Sequence, residues 1–201
     1  MTKCIRRLAI SETNAALALL TNAFANDPTH RWLLQVEQPG YAERLDAYLH
    51  AYLTYHHSVD LPTLGLFADD TLLAAAWLTP AGYQPQQQAW QTLGAAITEQ
   101  CGSATLTRLA RLFAFAEQAP NADHYSCLEF IAVSPAVQGQ GLGQQLLKAL
   151  QHSTPNGLQL ITGNPRAAAF YQRLGFVPWG RDQSTVTEQI GLCWPGDELC
   201  T

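Results

Sequence analysis

The stretch Gln138-Gly139-Gln140-Gly141-Leu142-Gly143 sets three glycines at alternate positions. It lies between an apolar run that ends at Val133 and a segment whose leucines recur at helical spacing. Backbone N–H groups at such a turn point into one space, and the start of a helix adds about half a positive charge. The combination is an anion site, suited to a diphosphate. The same glycines could equally serve only a tight strand-to-helix turn. Two other fingerprints are excluded. The dinucleotide motif needs Gly-x-Gly-x-x-Gly in an early βαβ unit with a following acid. The P-loop needs Gly-Lys-Ser/Thr, which is missing.

Two further side chains could carry chemistry. Glu129 lies inside Tyr125–Val133, where Leu, Phe, Ile and Val fall on both faces, as in a strand covered from both sides. Simple alternation puts Glu129 on the face of Ile131 and Val133. A carboxylate there is costly without a partner or a task, and Arg108 and Arg111 are the candidate partners. Tyr171 belongs to the row Ala167, Phe170, Tyr171, Leu174, one face of a helix at i, i+3, i+4 and i+7. Burying that face carries Tyr171 inward, and on the residues alone a core tyrosine is the first reading. No metal site is expected: His56-His57 has no partner ligands at metal spacing. Cys4, Cys101, Cys127, Cys193 and Cys200 are odd in number and form no CxxC pair, so neither disulfides nor zinc are expected and a reducing compartment is the default. Cys127 reads as a small apolar filler.

The elements that must position these groups can be read in order. Residues 3–8 suit a first strand, and Ser11 is placed to cap a helix that carries Ala16, Leu19, Leu20, Ala23 and Phe24. Asn26-Asp27-Pro28 ends it. Tyr41, Leu45, Tyr48, Leu49, Tyr52 and Leu53 mark a second amphipathic helix. Leu64–Ala68 and Leu72–Leu78, around Asp69-Asp70, predict an antiparallel hairpin. Residues 86–118 predict two helices broken near Cys101-Gly102-Ser103, closed by Pro120-Asn121. After the strand to Val133, a helix runs to about His152, then a strand over Leu158–Thr162. Asn164 can cap the next helix, with Pro165 in its first position and Gly175 as its stop. Strands from Phe176 and over Ser184–Leu192 finish the chain.

Composition narrows the function. The 201 residues carry 11 Lys+Arg against 16 Asp+Glu, a net charge of −5, which argues against a nucleic-acid binder. The longest apolar run, Leu72 to Leu78, is far short of the roughly 18 residues that span a bilayer. Ser11-Glu12-Thr13-Asn14 interrupts any signal-peptide core behind Lys3, Arg6 and Arg7. The expectation is a cytoplasmic protein of one domain, 1–201, that engages neither nucleic acid nor membrane.

Leu128-Glu129-Phe130-Ile131-Ala132-Val133-Ser134-Pro135, followed by Gln138 to Gly143, resembles the acetyl-CoA signature of the GNAT superfamily of N-acetyltransferases. Asn164-x-x-Ala167-x-x-Phe170-Tyr171-x-x-Leu174-Gly175-Phe176 is similar to a second segment of that family. Ala23-Phe24-x-x-Asp27-Pro28-x-x-Arg31-Trp32 and Ala74-Ala75-Ala76-Trp77-Leu78 resemble its puromycin-acetyltransferase-like branch. The resemblance implies an α/β (α+β) fold, with a mixed, mostly antiparallel central sheet flanked by helices. Its fourth and fifth strands splay around acetyl-CoA. It further implies a cofactor-binding core over about 124–177 and an acceptor-side helical segment over about 79–120.

By the same resemblance, the backbone of Ile131 and Val133 pairs with the pantetheine arm. The turn at Gln138, with the amides of Gly139, Gly141, Leu142 and Gly143, holds the pyrophosphate, and Asn164 and Ala167 line the pantetheine side. Gln138, Gln140 and Gln144 are neutral where the family often has Arg or Lys, which leaves Lys148, Arg166 or Arg173 for the 3′-phosphate. Tyr171 becomes the general acid for the departing thiolate, Glu129 the base for the acceptor amine, and His124 the alternative base. A peptide acceptor needs an open groove, which the helical segment at 79–120 could cover, so a small primary amine is the expected acceptor, with Phe24, Asp27, Trp32, Tyr83 and Trp90 as candidate lining, in a monomer or homodimer. The other readings are a non-catalytic acyl-CoA-binding regulatory module and a protein lysine or N-terminal acetyltransferase.

Overall fold

The computed structural model describes residues 3–120 and 122–196; Asn121 and Cys200, both used in the sequence reading, lie outside them. The chain opens with β1 (Lys3–Arg7), then α1 (Thr13–Phe24), α2 (Pro28–Leu33) and α3 (Tyr41–Ser58). The hairpin β2 (Thr63–Ala68) and β3 (Thr71–Thr79) follows, then α4 (Gln87–Cys101) and α5 (Ser103–Ala116). Next come β4 (Ser126–Val133), α6 (Leu142–Ser153), β5 (Leu158–Thr162), α7 (Pro165–Gln172), β6 (Val177–Asp182) and β7 (Gln189–Trp194).

The strands form one sheet in the order β1-β2-β3-β4-β5-β7-β6. Every pairing is antiparallel except β4 with β5. Apolar layers cover both faces, as the doubly apolar β4 requires. On one face Leu20, Leu49 and Leu53 of α1 and α3 pack with Phe67, Trp77 and Phe130. On the other, Leu142, Leu146, Leu147 and Leu150 of α6 pack with Leu66, Ala76, Leu128 and Leu158. The alternation of Ala75 and Trp77 to the first layer, and Ala74, Ala76 and Leu78 to the second, is the period-two pattern of β3.

Local signals set most boundaries, and three expectations need correction. Ser11 does not cap α1. Residues Ile10–Glu12 form a 3-10 turn, and the Glu12 carboxylate accepts the Ala9 N–H at 2.7 Å while pairing with Arg6 at 2.6 Å. An acid three residues into a helix start can reach back in this way. Asn26-Asp27-Pro28 does more than end α1: Asp27 is the N-cap of α2, with Pro28 in the first turn. The last strand begins at Gln189 rather than Ser184, because 183–188 form a polar turn. There Asp182 accepts the Ser184 N–H, and Glu188 binds Arg181 and Gln183, each at 2.8 Å. Gly175 does stop α7. It has φ +88, and Phe176 N–H reaches back to the Tyr171 carbonyl at 3.1 Å.

Candidate active site

β4 and β5 are paired only at Ser126–Leu158 and Cys127–Gln159, and then they part. On the other edge of β4, Ser134 N–H donates to the Leu73 carbonyl of β3 at 2.8 Å. Backbone groups alternate sides along a strand. The N–H and C=O of Val133 and of Ile131 therefore face the gap. One of these groups is occupied: the Gln138 side-chain amide donates to the Val133 carbonyl at 3.2 Å. A cavity of about 920 Å³ opens at the gap, and residues from both faces of the sheet line it.

The register of β3 against β4 slips between the pairs Trp77–Phe130 and Leu78–Leu128, leaving Glu129 without an opposite residue. This is a β-bulge, and it overturns the expected alternation. Ile131 and Val133 pack on the α6 face, whereas Glu129 turns to the other face, towards α3. Its Oε2 lies 2.9 Å from His56 Nε2, and its Oε1 accepts from Thr79 Oγ1. Arg108 and Arg111 are not its partners. Arg108 donates to the Trp32 carbonyl and pairs with Glu37 at 3.7 Å, and Arg111 reaches Ser184. The sequence reading missed His56, whose contact with Glu129 spans 73 positions. Its signal in the sequence is its place on the apolar stripe of α3, four residues after Tyr52 and three after Leu53.

The glycine turn has the expected shape. Gly139 and Gly141 have φ of +79 and +76, Gly141 is the N-cap of α6, and a Cβ at either position would meet nothing within 4 Å. The cradle is open, and the N–H groups of Leu142 and Gly143 stand at the unsatisfied end of the helix. Gly143 also serves packing: a Cβ there would stand 3.3 Å from Val133 Cγ2 and 3.6 Å from Phe170. This open edge and open cradle fit an extended thioester arm ending in a diphosphate. Asn164 caps α7 through its side-chain oxygen, which accepts from Arg166 and Ala167 N–H at 3.0 and 3.4 Å. Only its amide NH₂ is left to meet a ligand. Arg166 lines the cavity beside Ala167, whereas Lys148 and Arg173 are exposed outside it.

Tyr171 lines the same cavity, packed between Phe170 and Phe176 with ring centroids 5.4 Å away in each case. Burial pushes its phenol far above the usual range, and the nearby charge of Asp27 adds to the effect. Such a phenol stays protonated and can act as a donor. Cys127 also lines the cavity, and its thiol is pushed up to about 12, by burial first and then by Glu129. It is a poor nucleophile in that state.

Of the expected acceptor residues, Phe24 and Asp27 line the cavity. Trp32, Tyr83 and Trp90 do not: Tyr83 pairs with the Tyr55 hydroxyl at 3.2 Å, Trp90 packs on Tyr55, and Trp32 lies under Arg108. His124 is exposed on the short turn before β4, outside the lining. His30, Tyr48 and Tyr52 line the cavity instead. His30 Nδ1 lies 2.8 Å from Asp27 Oδ1. Burial alone would raise the Asp27 carboxyl, but the His30 side chain and the amides of His30 and Thr29 outweigh it and hold it below the usual range.

Residues 97–178 match the acetyltransferase (GNAT) domain family. No curated protein matches the chain. Among solved structures, one from Corynebacterium glutamicum, called histone acetyltransferase HPA2 and related acetyltransferase, is similar at 21% identity and TM-score 0.64, over 98% of this chain and 97% of that one. PaiA N-acetyltransferase from Thermoplasma acidophilum, in complex with coenzyme A, is similar at 14% identity and TM-score 0.59, over 96% of this chain and 98% of that one. An N-acetyltransferase from Staphylococcus aureus gives 14% identity and TM-score 0.55, over 96% and 97%. At these identities the structural likeness is one of fold. None of these matches singles out the puromycin-acetyltransferase-like branch.

Proposed function

We propose that this chain, whose residues 97–178 match the GNAT acetyltransferase domain, is an acetyltransferase of that superfamily and transfers an acetyl group from acetyl-CoA to the primary amine of a small molecule by direct attack in a ternary complex. The observation that supports this most is the joint placement of Glu129 and Tyr171. They reach one cavity from opposite faces of the sheet, through the gap beside the open β4 edge.

Acetyl-CoA, when bound, supplies the activated acyl group. The N–H groups of Ile131 and Val133 hold the arm as a neighbouring strand would, and the glycine turn with the α6 N-terminus holds the diphosphate. A strand amide near Val133, among those that face the gap, donates to the carbonyl oxygen on which negative charge grows. Glu129, directly or through one water, takes the proton that the amine nitrogen loses as the C–N bond forms. Tyr171 gives its proton to the sulfur as the C–S bond breaks. The products are the N-acetyl amine and CoA thiol. Cys127, held as a thiol, has no part in the transfer.

A thiol-release assay with acetyl-CoA against aliphatic and aromatic amines, amino acids, polyamines, aminoglycosides and peptides tests the reading. Turnover with at least one amine is expected. CoA binding by calorimetry without turnover of any acceptor would instead make the chain an acyl-CoA-binding module.

A further inference from the structure

The side of the cavity that faces α1, α2 and α3 has a distinct chemistry. Phe24 stacks on His30 at 4.5 Å, and Phe130 lies between Phe24, Tyr48 and Tyr52 with ring centroids 6.0, 6.5 and 5.4 Å away. Leu33, Leu109 and Leu112 fill the spaces between. The rim continues the pattern: Phe113 lines the cavity yet is 40% exposed, and its ring lies 5.8 Å from that of Trp90, itself 39% exposed. The main polar groups on this side already have partners. Asp27 is committed to His30 and to the cap of α2, and Glu129 to His56 and Thr79. Among the described residues, Arg166 is the one Lys or Arg that lines the cavity, and it stands on α7, on the other side of the sheet.

On the reading that this is an amine acetyltransferase, we infer that the acceptor is an arylalkyl monoamine, a single primary ammonium on a short stem with an aromatic body. The aromatic wall takes the ring at edge and face. Its π faces and the Glu129 carboxylate favour one cation close to the strand. A polyamine would bring further ammonium groups to a side whose one other carboxylate, Asp27, is already engaged by His30 and the cap of α2, and those set against Leu and Phe would lose their hydration uncompensated. An aminoglycoside would bring many hydroxyls to a largely apolar wall whose carboxylates are already engaged, leaving most of them unpaired. A lysine side chain in a peptide would bring backbone amides to the apolar rim at Phe113 and Trp90, with the same penalty.

Thiol release with acetyl-CoA should be measured for phenethylamine and tryptamine beside n-butylamine, spermidine, kanamycin and a lysine peptide. The arylalkyl amines should exceed n-butylamine in kcat/KM by about 10-fold or more, and spermidine and kanamycin by about 100-fold. Phe24→Leu keeps an apolar side chain but removes the ring, so it should narrow the phenethylamine to n-butylamine ratio by about 10-fold. Calorimetry of phenethylamine on the CoA-saturated protein gives a readout without turnover, and binding there should be tighter than that of spermidine. A preference for spermidine, kanamycin or the peptide, or an unchanged ratio in Phe24→Leu, would overturn the inference and leave acetyl transfer standing. Tight phenethylamine binding with no thiol release from any amine would do the reverse: the ligand class holds and the transfer reading falls.

Discussion

His56 Nε2 stands 2.9 Å from Glu129 Oε2, which joins the wholly buried imidazole of α3 to the bulge of β4. The carboxylate only accepts, so the imidazole carries its hydrogen on Nε2. Its Nδ1 is buried without a partner. With Thr79 Oγ1 donating to the other oxygen, the carboxylate is fixed from two sides. The proposed base is therefore held by groups that do not themselves line the cavity.

Glu129→Gln keeps the shape and both neighbours but cannot take a proton. It should lower kcat by about 10²- to 10⁴-fold and abolish the acidic limb of the pH–rate profile, with CoA affinity unchanged. Rate profiles from pH 5 to 9 check this. A wild-type profile in the variant would place the base elsewhere.

Tyr171→Phe removes one hydroxyl and leaves the ring contacts with Phe170 and Phe176 in place. Proton donation to sulfur matters only as the C–S bond breaks, so kcat and kcat/KM should fall together by about 10²- to 10⁴-fold. CoA affinity and melting temperature should hardly move. Intact turnover with a lower melting temperature would return Tyr171 to the core.

Gly141 and Gly157 both have positive φ, and they should answer substitution in opposite ways. A Cβ at Gly141 meets open space, so Gly141→Ala carries backbone strain of about 1–2 kcal/mol and little else. Its methyl projects into the cradle, so CoA affinity by calorimetry should drop about 10-fold or more while the fold persists, and Gly141→Val should abolish binding. A Cβ at Gly157 would run into the Trp194 carbonyl and stand 2.8 Å from the Tyr125 ring. Gly157→Ala should mainly lower the melting temperature.

Asp27 predicts an acid-sensitive contribution to stability. Its folded-state value lies below the unfolded one of about 3.9. The contribution is thus complete above that unfolded value and is lost as pH falls through the lower, folded one. Asp27→Asn keeps a good helix cap but removes the charge. The variant should be less stable by about 1–3 kcal/mol at pH 6. The gap in melting temperature to the wild type should close as pH is lowered to 3.

The sequence made β4, the glycine turn, α6 and the Asn164 cap legible because each is written in neighbouring residues. A cap, a positive-φ glycine and a period of two or 3.6 are local facts. The bulge was not legible: nothing near Glu129 announces that β3 will pair past it, and one slipped residue reverses its face. The same holds for His56, which met Glu129 only through tertiary packing. The helix α2 was hidden in a short run that reads as the end of α1. Trp32, Tyr83 and Trp90 are aromatics in the segments expected to line the site, but their own packing takes them elsewhere.

The short parallel seam between β4 and β5 has a mechanical consequence. Its two residue pairs are the only rungs of the backbone ladder that tie β1-β2-β3-β4 to β5-β7-β6 among the described residues. Backbone hydrogen bonds therefore do little to join the two half-sheets, and the apolar layer under α6, which runs from Leu66 to Leu158 and Leu192, does most of it. A strand-like ligand laid along the Val133 edge adds rungs where the chain has none. Its arrival should slow amide hydrogen exchange at Ile131 and Val133 and in the facing part of β5, stiffening the sheet as a whole.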